Sequence, residues 1–205
     1  DKIYDGTTVA SLGGTAAISG TTYDALTLVG TAAGEFGDEN VASGIAVTVS
    51  GLTLSGTGSS NYTLTQQSGL TASITPAPLT VAGLTAGDKI YDGTTVASLG
   101  GTAAISGTTY DVLTLVGTAA GEFADENVAS GIAVTVSGLT LSGTGSSNYT
   151  LAQQSGLTAS ITPAPLTVAG LTAGDKVYDG TTVASLGGTA AISGTTYDAL
   201  TLVGT

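Results

Sequence analysis

The sequence predicts an all-β protein: tandem small β-sandwich (Ig-like) domains forming an extended rod. Three observations predict it. The string Asp-Lys-Ile-Tyr-Asp-Gly at residues 1–6 returns at 88–93 and, with Val177 in place of Ile, at 175–180, a period of 87 residues. Along each copy apolar residues alternate with Thr and Ser at the strand period of two, and no stretch shows the helical period of 3.6. Short Gly and Ser-Gly clusters punctuate the alternation, as turns do between short strands. A β-grasp-like fold is the alternative, weakened by the helix it needs and the periodicity does not provide.

The repetition dictates a domain plan. Residues 1–87 and 88–174 differ only at Ala25/Val112, Gly37/Ala124 and Thr65/Ala152. A unit this long exceeds the ~20–50 residues of a solenoid coil and suits a small domain with its own core, which starts near ~50 residues. Beads on a string are therefore expected rather than a continuous solenoid. Pro76 and Pro78, with Pro163 and Pro165, are the only prolines, each pair inside Ile-Thr-Pro-Ala-Pro-Leu. Proline lacks an amide donor and fixes φ, so Pro-Ala-Pro ends one strand and stiffly begins another. Joints placed there give a complete domain at 77–163, a partial one at 1–76 lacking its first strand, and a partial one at 164–205. A third copy that stops partway, in a chain without Met, reads as a window on a longer array.

Within 77–163 the elements follow in order. Leu79 and Val81 face one way across Thr80. Gly100-Gly101, Ser106-Gly107 and Gly121 act as punctuation, and Leu113 and Leu115 flank Thr114. Phe123, the one Phe of its copy, is a core anchor. Ile132, Val134 and Val136 alternate with Ala133, Thr135 and Ser137, and after Gly138 the parity flips, because Leu139 and Leu141 become the apolar pair. A one-residue slip sends side chains to the other face, so Gly138 marks a bulge or a turn. The polar run 143–147 turns into a strand carrying Tyr149 and Leu151, and Leu157, Ala159 and Ile161 form the last. Thr on the outward faces suits a pleated, half-exposed surface.

Composition narrows the function classes. Fifteen carboxylates against three lysines give a net charge of −12, with no Cys, Met, Trp, His or Arg. Such a surface repels nucleic-acid phosphates and anionic membranes, so no nucleic-acid partner is expected. No apolar run approaches the ~20 residues of a membrane span, so no membrane insertion is expected in this segment. Without cysteine there is no disulfide framework. Without His or Cys, and with no Ser beside a base, no catalytic and no cofactor-binding residue is assigned, and the chain is not expected to be an enzyme. The 41% apolar content still supplies enough surface to offset ordering entropy.

Three motifs carry alternative chemistries. In Lys89-Ile90-Tyr91-Asp92-Gly93-Thr94-Thr95, Asp92 and Lys89 form either a ligand pair or an Asp-Gly turn, with Gly93 at positive φ and Asp92 bonding nearby amides. The turn is the simpler reading, and it buries the Tyr91 ring with its hydroxyl tied to backbone. In Glu122-Phe123-Ala124-Asp125-Glu126-Asn127, the carboxylates of Glu122, Asp125 and Glu126 are the candidate Ca²⁺ ligands, being hard oxygens at close spacing. They form no EF-hand loop, and Asp-Glu-Asn is also ordinary turn chemistry. One Lys per copy, with Asn127 and Asn148, permits a Lys–Asn isopeptide bond if burial and a neighbouring acid provide the geometry. Asn61 and Asn148 each open a glycosylation sequon, whose plainer reading is an Asn ending a turn before a core Tyr.

The strings Lys-x-Tyr-Asp-Gly-Thr-Thr, Phe-Ala-Asp-Glu-Asn-Val, Val-Thr-Val-Ser-Gly, Asn-Tyr-Thr-Leu and Ile-Thr-Pro-Ala, in that order, span the whole unit. Together they resemble the YDG repeat domain of large secreted bacterial adhesins of the filamentous-haemagglutinin type. The resemblance implies an extracellular place, at the bacterial cell surface or in a secreted matrix. It also implies a stalk or biofilm-matrix role, and carries no catalytic residues. The expected function is a structural stalk or filament segment whose partners are neighbouring repeats of the same chain. Two alternatives have sister chains or surface glycans as partners: a multivalent glycan- or self-binding array, and a self-assembling extracellular filament subunit.

Overall fold

The computed structural model describes residues 1–203, and among them every extended element is a strand and no α-helix occurs. The first copy supplies β1 (Lys2–Ile3), β2 (Val9–Ala10), β3 (Thr27–Phe36), β4 (Ala42–Ser55) and β5 (Leu70–Thr75). The second supplies β6 (Ala77–Ala86), β7 (Lys89–Ile90), β8 (Val96–Ala97), β9 (Leu99–Ser106), β10 (Thr114–Phe123), β11 (Ala129–Ser142), β12 (Tyr149–Ala152) and β13 (Leu157–Thr162). The third adds β14 (Thr167–Ala173) and β15 (Leu186–Ser193). The all-β class read from the alternation therefore stands.

The sheets are mixed. Two five-stranded sheets have equivalent orders, β1-β5-β4-β3-β2 and β7-β13-β11-β10-β8. In each the two-residue strand of the Lys-Ile-Tyr-Asp-Gly string, β1 or β7, pairs parallel to the last strand of its copy, Lys2 opposite Ile74 and Lys89 opposite Ile161. A three-stranded sheet β12-β6-β9 and a two-stranded sheet β14-β15 complete the set.

The chain forms two compact units, and neither coincides with one copy. The first takes Asp1–Ala82, Ala103–Gly117 and Leu139–Gln153; the second takes Gly83–Thr102, Thr118–Gly138 and the chain from Gln154 on. Residues 77–163 thus contribute to both, and the Pro76 joint lies inside the first. In the first unit Tyr4, Ala10, Phe36, Val47 and Ile74 of copy one bury together with Ala77, Leu79 and Tyr149 of copy two. In the second, Ala97, Phe123, Val134, Ala159 and Ile161 form the core, so Phe123 is the anchor its solitary position suggested.

Three of the five unit boundaries, Ala82/Gly83, Gly117/Thr118 and Gly138/Leu139, fall at a glycine. β11 runs unbroken through Gly138, which resolves the parity flip as a bulge: Val134 and Val136 are buried before it and Leu139 after it. Its counterpart in the first copy, Gly51, lies opposite the register shift between Gly30 and Ala33. Gly138 has φ 89°, and a Cβ there would collide with the carbonyl oxygen of Thr118, so only glycine lets the two strands approach this closely. The Gly100-Gly101 pair, read as punctuation, lies within β9 instead. Pairing with β6 supplies the ladder that two glycines alone do not favour.

Candidate functional site

The Tyr-Asp-Gly loop is built locally from Lys2. Its Nζ donates to Asp5 Oδ1 (2.5 Å), to the Thr7 carbonyl (2.6 Å) and to Thr7 Oγ1 (3.0 Å), while the Thr7 amide donates to Asp5 Oδ1 at 3.0 Å. Lys89, Asp92 and Thr94 repeat the clasp at 2.7, 2.6 and 3.0 Å. The lysine beside it holds the Asp5 carboxyl below the usual carboxylate range, and the same is true of Asp92. Lys2 Nζ also stands 5.6 Å from the centre of the Phe36 ring, a cation–π contact over the core anchor. The turn reading of this motif is the one the geometry satisfies.

The clasped loop presents Tyr4 to the next copy. Tyr4 is 4% exposed, and its hydroxyl donates to Asp111 Oδ2 at 2.9 Å. The sequence reading tied the hydroxyl of Tyr91, the counterpart of Tyr4, to backbone; the partner is instead a carboxylate from the following copy, Asp111 for Tyr4 and Asp198 for Tyr91. The hydroxyl that meets backbone belongs to Tyr149, which accepts from the amides of Tyr110 (2.7 Å) and Asp111 (3.1 Å) and donates to Asp111 Oδ2 at 3.0 Å. Asp111 thus receives two tyrosine hydroxyls. The three rings pack edge-on, Tyr4 lying 6.0 Å from Tyr110 and 5.4 Å from Tyr149, a geometry that adds about 0.5–1.5 kcal/mol per pair beyond area burial. Burial first, and Asp111 next, push the Tyr4 hydroxyl from its ordinary 10.0 up to about 12. Gly6, at φ 69°, is the loop residue against which Tyr110 packs: a Cβ there would stand 3.0 Å from the Tyr110 Cβ.

The acidic turn completes the arrangement. Asp38 Oδ1 accepts from the Asn40 amide (2.9 Å) and its side-chain nitrogen (2.8 Å), which fixes the Asn40 carboxamide. Asn148 Nδ2 then donates to Asn40 Oδ1 at 2.9 Å, and Asn148 Oδ1 accepts from the Val41 amide at 3.0 Å. Asn148 is 2% exposed and is the buried polar residue of this core. Its complete satisfaction matters, because a buried amide without partners costs about 1–3 kcal/mol. Tyr4, Asn40 and Val41 of one copy therefore latch onto Tyr110, Asp111, Asn148 and Tyr149 of the next. In the second unit Tyr91 and Tyr197 stack edge-on at 5.9 Å, and Asp198, the counterpart of Asp111, is the first cause raising the Tyr91 hydroxyl above its ordinary range.

The three candidate Ca²⁺ ligands do not converge. Asp125 Oδ1 accepts from the Asn127 amide and side chain at 2.9 and 2.7 Å, Glu122 Oε1 accepts from Thr95 Oγ1 at 3.1 Å, and Glu126 is exposed. Among the described residues no three acidic side chains gather as a metal site. Lys89 is engaged by Asp92 and Thr94, and Asn148 by Asn40 and Val41, so each half of the envisaged Lys–Asn bond has its own partners. Asn148 closes the 3-10 turn Ser146–Asn148 ahead of buried Tyr149, as its plainer reading required. Tyr110 and Asp111 went unremarked in the sequence; a second Tyr-Asp pair echoing that of the Tyr-Asp-Gly loop is the one signal that marks them.

Tyr4 and Asn148 of the sequence motifs are thus latch residues, and one family model covers nearly the whole chain. The YDG domain matches residues 1–69, 75–156 and 162–205. The chain belongs to the YDG domain family. No curated protein and no solved structure matches it. The complete YDG segment, 75–156, carries both halves of the latch, Tyr91 and Asn127 on one side and Tyr110, Asp111, Asn148 and Tyr149 on the other. Residues 75–156 therefore meet the copy before them through Asp111 and Asn148 and the copy after them through Tyr91.

Proposed function

We propose that this chain is a stalk or filament segment of a large secreted bacterial protein of the filamentous-haemagglutinin adhesin type, at the cell surface or in a biofilm matrix. Its role in that reading is mechanical and non-catalytic, its partners are neighbouring repeats, and sandwich-like units follow one another as an extended rod. The observation that carries it is the reciprocal latch. Asn148, which sequence reasoning weighed as an isopeptide partner, is occupied in joining one copy to the next, together with Tyr4, Asn40 and Asp111. Near-identical copies suit a spacer, in which length matters and individual surfaces do not. Small-angle scattering on chains of increasing copy number tests the reading. The maximum dimension is expected to rise linearly with copy number; growth that levels off, as for a globule, would sink it.

A further inference from the structure

The turn after Tyr91 sets an aspartate beside a glycine that the fold cannot exchange. Gly93 sits at φ 69°, in the left-handed region, and a Cβ on it would stand 3.0 Å from the Cβ of Tyr197; Gly6 meets both conditions against Tyr110. Asp92, just before it, closes the turn by accepting the Thr94 amide at 3.0 Å. Asp-Gly is also the dipeptide whose backbone ages fastest in water, because no Cβ shields the glycine nitrogen from the neighbouring carboxyl. In the neutral acid that nitrogen bonds to Cγ, and the carboxyl hydroxyl departs with the amide proton as water, leaving a five-membered succinimide. Water then reopens the ring. Where it breaks the bond between nitrogen and the main-chain carbonyl, the chain is left running through the side chain, as isoaspartate. The backbone gains a methylene there, with no net change of mass.

We infer that Asp92-Gly93 is a latent isoaspartate site, and that the Lys89 clasp is the device that keeps it closed. Three donors converge on one oxygen: Lys89 Nζ (2.7 Å), the Thr94 amide (3.0 Å) and Thr94 Oγ1 (2.8 Å) all reach Asp92 Oδ1. Each favours the carboxylate over the neutral acid that the reaction needs. Together they also resist the rotation that would turn Cγ toward the Gly93 nitrogen. The lysine is itself sheltered. Its side chain is 14% exposed, and its Nζ stands 5.5 Å from the centre of the Phe123 ring. The chain has three lysines against fifteen carboxylates, and all three pair with the aspartate of an Asp-Gly: Asp5, Asp92 and Asp179.

Ageing the 205-residue chain at neutral pH and body temperature tests this, with isoaspartate measured by peptide mapping and by enzymatic methylation of its free carboxyl. Isoaspartate at Asp92 should build up far more slowly than in a synthetic peptide of residues 88–95. Lys89→Met keeps the stem over Phe123 and removes the donor. It should speed the reaction at Asp92 about tenfold, the scale of one charge-assisted hydrogen bond discounted for exposure. Asp5, in the same molecule with its own clasp intact, should stay slow, and Lys89→Arg should restore protection at Asp92. Thr94→Val, on an exposed side chain, removes a weaker donor and should give a smaller rise. Wild-type Asp92 isomerising as fast as the peptide overturns the proposal, as does a folded Lys89→Met chain in which Asp92 ages no faster than Asp5. If circular dichroism shows that Lys89→Met disturbs the fold, an absent rise in Thr94→Val overturns it instead. None of these outcomes bears on the linear growth with copy number expected of a stalk.

Discussion

Asn61 and Asn148 are one residue in two settings. Asn148 meets the acidic turn of the preceding copy through Asn40 and Val41 and is 2% exposed, while Asn61 is exposed to solvent. Asn148→Ala strips the Val41 amide and the Asn40 carboxamide of their partner, and should cost about 1–3 kcal/mol in a urea melt. Asn61→Ala should stay within about 0.5 kcal/mol, as surface substitutions do. Equal effects at the two positions would refute the latch. Tyr4 adds a pH signature. Its folded value, about 12, lies above the ordinary 10.0, so the neutral hydroxyl's contribution is intact below pH 10 and drains away as pH climbs toward 12. Alkaline titration followed by tyrosinate absorbance and circular dichroism should show that loss, and Tyr4→Phe should remove this limb while lowering stability at neutral pH. The sequence marked Tyr91 and Asn148 as motif residues. It did not identify their partners in the other copy, because hydrogen-bond partners 107 residues apart, as Tyr4 and Asp111 are, leave no trace in local spacing.

At the scale of the element, the long strands were legible and the short ones were not. Ile132, Val134, Val136 and then Leu139 carry their burial in their alternation, so both the strand and its bulge follow from side-chain parity. Two-residue strands such as β1 and β7 carry no alternation at all, and form because their backbone meets β5 and β13. The bulge itself is testable through two glycines. Gly131 has φ 64° with open space where a Cβ would stand, whereas a Cβ on Gly138, φ 89°, would strike the Thr118 carbonyl. Gly131→Ala should therefore cost only the left-handed penalty, about 1–2 kcal/mol. Gly138→Ala adds a collision between paired strands and should cost about 3 kcal/mol or more. Similar chemical-denaturation midpoints for the two variants would contradict the close approach at Gly138.

At the scale of the molecule, the first core joins Tyr4, Phe36 and Ile74 from one copy to Leu79 and Tyr149 from the next. A protein of residues 77–163 alone keeps the second core, all of whose buried members lie within it, but loses the cover over Leu79 and Tyr149. Hydrogen exchange should accordingly find the Tyr149–Ala152 amides fast in that segment and slow in the 205-residue chain, where residues 62–65 should remain fast despite their near-identical sequence. Slow exchange at Tyr149–Ala152 in the isolated segment would show that the preceding copy is dispensable. The period, the strand class, the parity flip and the turn at Asp92-Gly93 were determined by the sequence alone, since each rests on neighbours in the chain and on side-chain alternation. Which copy completes which core was decided only by tertiary structure. Identical copies present identical apolar faces, so pattern cannot choose between them; the choice falls to the glycine bulges and to the Tyr–Asp and Asn–Asn contacts that satisfy buried polar groups across the repeat.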